Sequence, residues 1–305
     1  MRASGRIELP PSTLAWIAGI GGGRVTRVWR LEGGVQAETH AVDLTCPDGA
    51  IRPLVVRRFR IHDAASARSE AANLLRLAGS GLPVAEMVGA DPEAEETDLP
   101  ATLQTRLEGV ANLDPEFALA RLDQLGAVLA RLHDLPLPLV AGFSDKSPLM
   151  RKAFSEDPPL VVAAEPGGLA LWERARAVSL KSNLETPVLL HGDFHIGNVI
   201  WQEGQLAGVV DWSSASLGPA AKDVSYCRMD LALVFGGDAP DRFLAGYVEA
   251  AKRRLPDLAL WDAYMASVAL TEATQWLPGW WGLGRVDLTA ELVRSRTSAL
   301  VRSIL

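Results

Sequence analysis

The fold of this chain is decided by HGDFHIGNVIW at residues 191–201 and LAGVVDW at residues 206–212. The apolar VLL at 188–190 predicts a short buried strand that leads into a tight turn. VIW and LAGVVDW read as two strands, and the QEGQ between them is suited to a hairpin turn. We therefore expect this hairpin to bring Asp211 back beside Asn198.

Three polar side chains of this stretch form a set that suits phosphoryl transfer. Asp193 precedes Asn198 by five residues, and the hairpin returns a second carboxylate, Asp211. Phosphoryl transfer needs one carboxylate to orient the attacking hydroxyl and accept its proton, while an amide and another carboxylate hold Mg²⁺ against the phosphates. The D-x-x-x-x-N spacing is also that of the kinase catalytic loop. Each residue alone is common in turns, but together they indicate a kinase-like site.

The front of the chain, residues 1–107, predicts a small antiparallel sheet with one helix. Apolar and polar residues alternate as in half-buried strands, and Gly33-Gly34 offers a hairpin turn between the first two. Residues 65–81 carry apolar side chains at helical spacing. The five predicted strands are 24–32, 37–44, 53–61, 83–91 and 99–107.

The rest of the chain, residues 108–305, predicts mostly helices. The predicted helices are 117–135, 169–182, 220–235, 239–255, 260–277 and 287–305. A β-rich N-lobe and an α-rich C-lobe joined near residues 105–109 predict an α+β, bilobal protein with a cleft at the junction, where ligands usually bind.

Composition argues against several classes of function. The formal charge of −7 argues against a nucleic-acid partner, because phosphate backbones attract clustered Lys and Arg. No apolar run reaches the roughly 18 residues of a membrane span. Cys46 and Cys227 lie far apart, which fits a reducing cytoplasm and argues against a cysteine-rich zinc site. A monomer and a homodimer are both compatible with the sequence.

The residues 191–223, HGDFHIGNVIW…GVVDWSSASLGPAAKD, closely resemble the aminoglycoside phosphotransferase family, which includes choline-kinase-like and macrolide-kinase-like enzymes. ARSEAANLLRLAGSGLPV (67–84) looks like the front-lobe helix of that family, LQTRLEG (103–109) like its hinge strand, and LGAVLARLHDLP (125–136) like its long back-lobe helix. The resemblance spans residues 15–255. It implies a protein-kinase-like fold, ATP (or GTP) and Mg²⁺ as cofactors, and a small-molecule substrate that bears a hydroxyl group.

The resemblance also implies a role for each matching residue. Asp193 would be the catalytic base, and Asn198 and Asp211 would be the metal ligands. Arg57 lies where the family carries a phosphate-contacting Lys or Arg, and Glu70, thirteen residues later, would pair with it.

Further residues are expected to support the loop or to bind the nucleotide. His191 would pack beneath the loop, and Asp223 would steady it. The three glycines Gly21, Gly22 and Gly23 do not match the kinase motif G-x-G-x-x-G, so either a loop that covers the nucleotide or a plain turn is compatible with them. The residues assigned to the nucleotide are Gln104, Arg106, Leu107, Gly21, Gly22 and Gly23.

Three alternatives stay open at this point. His191, Asp193, His195 and Asp211 resemble a ligand cluster of a metal-dependent hydrolase. A non-catalytic nucleotide-binding module is the second alternative. A protein kinase is the third, but the eleven residues between Asp211 and Asp223 are too few for an activation segment with a peptide platform.

The acceptor is not determined by the sequence. An aminoglycoside-like antibiotic, a choline-like alcohol, a sugar and an amino alcohol all fit. Trp276, Trp280 and Trp281 either pack between helices or form an aromatic wall for a cationic substrate.

Overall fold

The chain forms two compact units, described here from a computed structural model. The first unit comprises residues 1–110 and 200–214, and the second comprises 111–199 and 215–305. The predicted division of lobes between residues 107 and 108 stays a prediction. The structure describes residues 9–32, 37–136, 140, 142–145, 157–181, 187–255 and 257–305.

A five-stranded antiparallel sheet is the framework of the first unit, in the order β1-β2-β3-β5-β4. All five strands predicted from the sequence are present. Their bounds are β1 Arg24–Leu31, β2 Ala37–Thr45, β3 Ile51–Phe59, β4 Met87–Asp91 and β5 Ala101–Thr105. The predicted turn at Gly33-Gly34 lies outside the described residues.

The described residues of the first unit form two α-helices, where the sequence predicted one. Helix α2 (Ala64–Leu77) is the predicted helix, and it ends four residues before the predicted end at 81. Helix α1 (Pro11–Gly21) was not predicted, because its prolines and glycines resemble loop sequence. Pro11 is tolerated in the first turn, where its missing N–H has no helical partner in any case. Trp16 and Ile17 of α1 then pack into the core of the sheet.

The predicted hairpin around QEGQ is confirmed. Strands β7 (Val199–Gln202) and β8 (Gln205–Val209) pair in a two-stranded sheet. Glu203 and Gly204 between them both have positive φ, 50° and 80°. Such a pair matches the twist of a tight hairpin turn.

The second unit is mostly helical, which together with the sheet of the first unit confirms the predicted α+β class. Strands β6 (Val188–Leu190) and β9 (Ser216–Gly218) pair antiparallel within it. Among the described residues of this unit, the helices are α3 Pro115–Leu119, α4 Leu122–His133, α5 Leu160–Ala164, α6 Gly168–Lys181, α7 Ala220–Val234, α8 Ala239–Ala251, α9 Leu258–Glu272, α10 Leu277–Gly282 and α11 Ala290–Ile304. In the described part of the chain, none of the helices has both the length and the apolar character needed to cross a membrane.

The helix predicted over 117–135 is in fact two helices, α3 and α4. The Asp114 carboxylate caps α3 by accepting the N–H groups of Glu116 and Phe117. Arg121 leaves helical geometry at φ −121° and ψ 9°. Its guanidinium donates to the Phe117 carbonyl at 2.7 Å and lies over the Phe117 ring. These local contacts favour a break that apolar periodicity does not reveal.

Candidate active site

In the first unit, Arg57 and Glu70 form a buried ion pair between β3 and α2. The side chain of Arg57 is 7% exposed and that of Glu70 is fully buried. Thr102 of β5 donates to the second Glu70 oxygen at 2.9 Å. Burial raises the pKa of Glu70, against the opposing effect of Arg57. The pair predicted from the sequence is therefore formed, and its role with phosphate stays a prediction.

Arg57 also binds Asp211 through both terminal nitrogens of its guanidinium group. Nη1 donates to Oδ1 at 3.1 Å and Nη2 donates to Oδ2 at 2.7 Å. Although burial alone would lower the pKa of Arg57, the two carboxylates raise it, so the guanidinium stays charged. Asp211 is in the left-handed backbone region at φ 67°. Non-glycine residues in that region are uncommon and cluster at functional sites.

The residues assigned to the nucleotide are placed as follows. Gly21 ends α1, Gly22 caps it at φ 71°, and a Cβ on Gly23 would lie 2.5 Å from the Thr45 carbonyl. This geometry is that of a helix end and a turn. Gln104 is buried in β5.

The two remaining residues of this group follow β5. Arg106 pairs with Asp43 at 3.0 Å and lies over the Trp29 ring. Leu107 is half-buried beside Gly208. Their contact with a nucleotide stays a prediction.

In the second unit, Asp193 and Asn198 meet within one loop. The Asn198 amide nitrogen donates to the Asp193 carbonyl at 2.9 Å and to its Oδ2 at 3.3 Å. A 3₁₀ turn over Ile196–Asn198 folds the loop back and makes these bonds possible. Since the amide nitrogen faces Asp193, the amide oxygen is directed away from it. The convergence of Asn198 and Asp211 on one ion stays a prediction.

Asp223 holds the backbone at the start of this loop. Its fully buried carboxylate accepts the N–H groups of His191 at 2.6 Å and Gly192 at 3.0 Å. Burial alone would raise the pKa of Asp223, but the interactions with His133, Lys222 and His191 outweigh it and lower the pKa. This geometry supports the predicted role of Asp223 in steadying the loop.

Helix α7 brings three polar residues toward the same loop that sequence reasoning did not select. Lys222, Tyr226 and Asp230 are spaced at i, i+4 and i+8, so they share one helical face. The Tyr226 hydroxyl donates to Asp193 Oδ1 at 2.5 Å. The feature of the sequence that could have identified these residues is their four-residue spacing on a helix that follows the predicted catalytic loop.

The three residues are also electrostatically linked to the loop. Burial and the charge of Asp193 raise the pKa of Tyr226 well above its ordinary range. Burial lowers the pKa of Lys222, whereas the charges of Asp223 and Asp193 act against that effect. Burial raises the pKa of Asp230, with His195 opposing it.

Both histidines of the loop interact with the loop backbone. Nδ1 of His191 accepts the N–H of Asp193 at 3.3 Å, and Nδ1 of His195 accepts the N–H of Gly197 at 3.1 Å. Each ring therefore has one nitrogen engaged by the backbone. Among the described residues, no group of three or more His, Cys, Asp or Glu side chains is arranged to hold a metal ion.

Each of the three tryptophans contacts another residue of the second unit. Trp276 and Trp280 meet edge to face with centroids 6.1 Å apart, and the Trp280 indole donates to Asp230. The Trp281 indole donates to the Leu288 carbonyl, and this residue is 44% exposed.

Solved structures with a similar fold include macrolide and aminoglycoside phosphotransferases. A macrolide 2'-phosphotransferase, MphH from Brachybacterium faecium, matches at TM-score 0.61 and 21% identity over 95% of this chain and 98% of its own. A thermostable mutant of aminoglycoside phosphotransferase APH(4)-Ia, in ternary complex with ADP and hygromycin B, matches at TM-score 0.62 and 18% identity over 93% of this chain and 98% of its own. The chain thus has the fold of kinase-like phosphotransferases.

The sequence also matches a family as a whole. The model of the phosphotransferase enzyme family, APH, matches residues 17–265, which contain both regions described above. The chain belongs to this phosphotransferase family, as the resemblance in the sequence had indicated.

Proposed function

We propose that this protein transfers the γ-phosphoryl group of ATP (or GTP) to a hydroxyl group of a small molecule. The observation that carries the proposal is the hydrogen bond between Asn198 and Asp193, which lie five residues apart in one loop. The chain that contains this loop belongs to a phosphotransferase family. A carboxylate and an amide at this spacing are the groups that a kinase loop needs.

Asp193 is the catalytic base of this proposal. It orients the acceptor hydroxyl and takes its proton late in the transfer, because a carboxylate is too weak a base to deprotonate an alcohol beforehand. Orientation and electrostatic stabilisation then supply most of the rate enhancement.

Mg²⁺ is the proposed metal, held by Asn198 through its amide oxygen and by Asp211. Hard oxygen ligands suit this ion, and the Asn198 nitrogen is already engaged with Asp193. A carboxylate has about four lone-pair positions, so Asp211 can keep contacts with Arg57 and still offer an oxygen. When bound, the ion neutralises charge on the phosphates.

Arg57 is the proposed phosphate contact, oriented by Glu70. A guanidinium grips phosphate with two parallel hydrogen bonds. The proposed contacts of the nucleotide base and its cover are Gln104, Arg106, Leu107 and Gly21–Gly23.

The acceptor is best sought among the substrates of proteins with this fold. One of these is named as a macrolide 2'-phosphotransferase, and another was solved with ADP and hygromycin B. The test is ADP release with ATP and Mg²⁺ across aminoglycosides, macrolides, choline, homoserine and sugars, repeated with GTP.

We expect Asp193→Ala to lower kcat on the best acceptor by about 10²- to 10⁴-fold, the usual contribution of a positioned base. Steady-state kinetics of purified protein would measure it. The matched control is Asp238→Ala, since Asp238 is an exposed carboxylate at the start of α8, away from the loop. Near-full turnover by Asp193→Ala would contradict the assignment.

A further inference from the structure

We infer that Tyr226 is a positioning residue for Asp193, holding one carboxylate oxygen so that the other receives the proton of the acceptor hydroxyl. This inference rests on the proposed function, because it concerns the group proposed there as the catalytic base.

The two oxygens of Asp193 are not equivalent. Oδ1 accepts a hydrogen bond from the Tyr226 hydroxyl, and bonds from hydroxyl groups to carboxylates are among the stronger hydrogen bonds in proteins. Oδ2 accepts a longer bond of 3.3 Å from Asn198, whose amide nitrogen makes its shorter bond, 2.9 Å, to the Asp193 carbonyl. Oδ2 is therefore the oxygen with capacity for a new donor.

Tyr226 is suited to remain a donor throughout the reaction. Burial and the neighbouring charge of Asp193 favour its neutral form, so it keeps its proton. Other charged or titratable groups around the pair include His191, whose ring accepts the Asp193 N–H, and Lys222, Asp230, Glu272 and His195. The Tyr226 hydroxyl thus supplies a fixed hydrogen bond to Oδ1.

Helix α7 fixes the loop in two places at once. Asp223 holds the backbone of His191 and Gly192, and Tyr226, three residues further along the helix, holds the Asp193 side chain. When the backbone of the loop and one carboxylate oxygen of Asp193 are both held, the Asp193 side chain has few rotamers available. The Tyr226 contact therefore restricts where Oδ2 points.

In the transfer step, the acceptor oxygen forms a bond to the γ-phosphorus while the bond from phosphorus to the β–γ bridging oxygen breaks. The nucleoside diphosphate leaves with that electron pair, and the acceptor proton passes to Asp193 Oδ2. Tyr226 keeps its own proton and donates to Oδ1 at every stage.

The test compares Tyr226→Phe with Tyr264→Phe, using ADP release with ATP, Mg²⁺ and the acceptor of highest turnover. Tyr264 is a half-buried tyrosine of α9 that packs against Trp261, so its change removes the same hydroxyl elsewhere in this unit. We expect Tyr226→Phe to lower kcat by about 10- to 100-fold with both KM values within about 2-fold of wild type, since the contact serves the transition state. Tyr264→Phe should keep the wild-type kcat.

Each remaining outcome is decisive. An unchanged kcat in Tyr226→Phe, while Asp193→Ala is inactive, overturns the positioning role and leaves the proposed function intact. A raised acceptor KM at constant kcat makes Tyr226 a substrate contact and also overturns it. If Tyr226→Phe folds poorly by thermal melting, fluorotyrosine at position 226 keeps the hydroxyl and must restore kcat. Wild-type protein that turns over no acceptor overturns the function and this inference together.

Discussion

At the scale of single residues, Arg57 makes a set of contacts that a lysine could not make. Its fork binds Glu70 with one nitrogen and spans both oxygens of Asp211, which lies 154 positions away in the sequence. An ammonium is a point charge and lacks this bidentate geometry. Arg57 therefore links three segments of the first unit: β3, α2 and the residues after β8.

We expect Arg57→Ala to lower the free energy of unfolding by about 3–5 kcal/mol, because it leaves the buried Glu70 carboxylate and the partly buried Asp211 carboxylate without their counter-charge. Chemical denaturation would measure this. Arg68→Ala is the matched control. Arg68 pairs with Glu93 at the surface, where the side chains are 50% and 56% exposed, and such pairs contribute at most about 1 kcal/mol. Equal effects of the two changes would contradict the importance of burial.

At the scale of elements, helices α4 and α8 approach closely because each has a glycine at the contact. A Cβ on Gly126 would lie 2.4 Å from the Tyr247 nitrogen, and one on Gly246 would lie 2.5 Å from the Asp123 carbonyl. These atoms belong to the backbone of the facing helix and cannot rotate away. The close packing of the two helices therefore depends on both glycines.

We expect Gly126→Ala to destabilise the protein by about 1–3 kcal/mol through overpacking, despite the better helix propensity of alanine. Gly19→Ala in α1 is the control, because no atom lies within 4 Å of the added Cβ. That change should be neutral or stabilising by up to about 1 kcal/mol. Thermal and urea unfolding of both variants would measure these changes in stability. A Gly126→Ala protein as stable as the wild type would contradict the close helix contact.

Elements with a strong local signal could be predicted from the sequence, and elements set by tertiary contacts could not. Alternation predicted the first two strands, the Val and Ile content of residues 53–61 predicted the third, and QEGQ predicted the β7–β8 turn. The break between α3 and α4 was missed, since it depends on the side chain of Arg121 binding Phe117. Helix α1 was missed because its stability comes from burying Trp16 and Ile17 on the sheet, which residue spacing alone does not report.

At the scale of the whole molecule, stability at low pH reflects carboxyl groups, some buried and some exposed, whose pKa values are shifted in opposite directions. Hydrogen bonds and cations lower some of the pKa values, and burial raises others. Those lowered are Asp91, Asp98, Asp223 and Asp287, and those raised are Glu70, Asp230 and Asp262. Asp223 is the fully buried member of the lowered group.

We expect Asp223 to stabilise the protein above the unfolded pKa of about 3.9. Because its folded pKa is lower, this stabilisation is lost as pH falls through the folded value. The difference in unfolding free energy between wild type and Asp223→Asn should therefore be constant from about pH 5 to 8 and shrink below about pH 4. Asp238→Asn, at an exposed carboxylate, should show no such change. A difference that is independent of pH down to acid unfolding would refute the role of Asp223.

The sequence by itself determined the family, the α+β class and the pairing of Asp193 with Asn198. Their five-residue spacing and the segments around them are local properties, and a turn brings such residues together in any fold that contains it. Only the tertiary structure decided that Tyr226, 33 residues after Asp193, donates to its carboxylate, and that Arg57 binds Asp211 as well as Glu70. The first contact depends on how α7 packs within the second unit, and the second depends on how α2 and β3 pack within the first. Packing is the sum of many weak contacts that no single motif encodes.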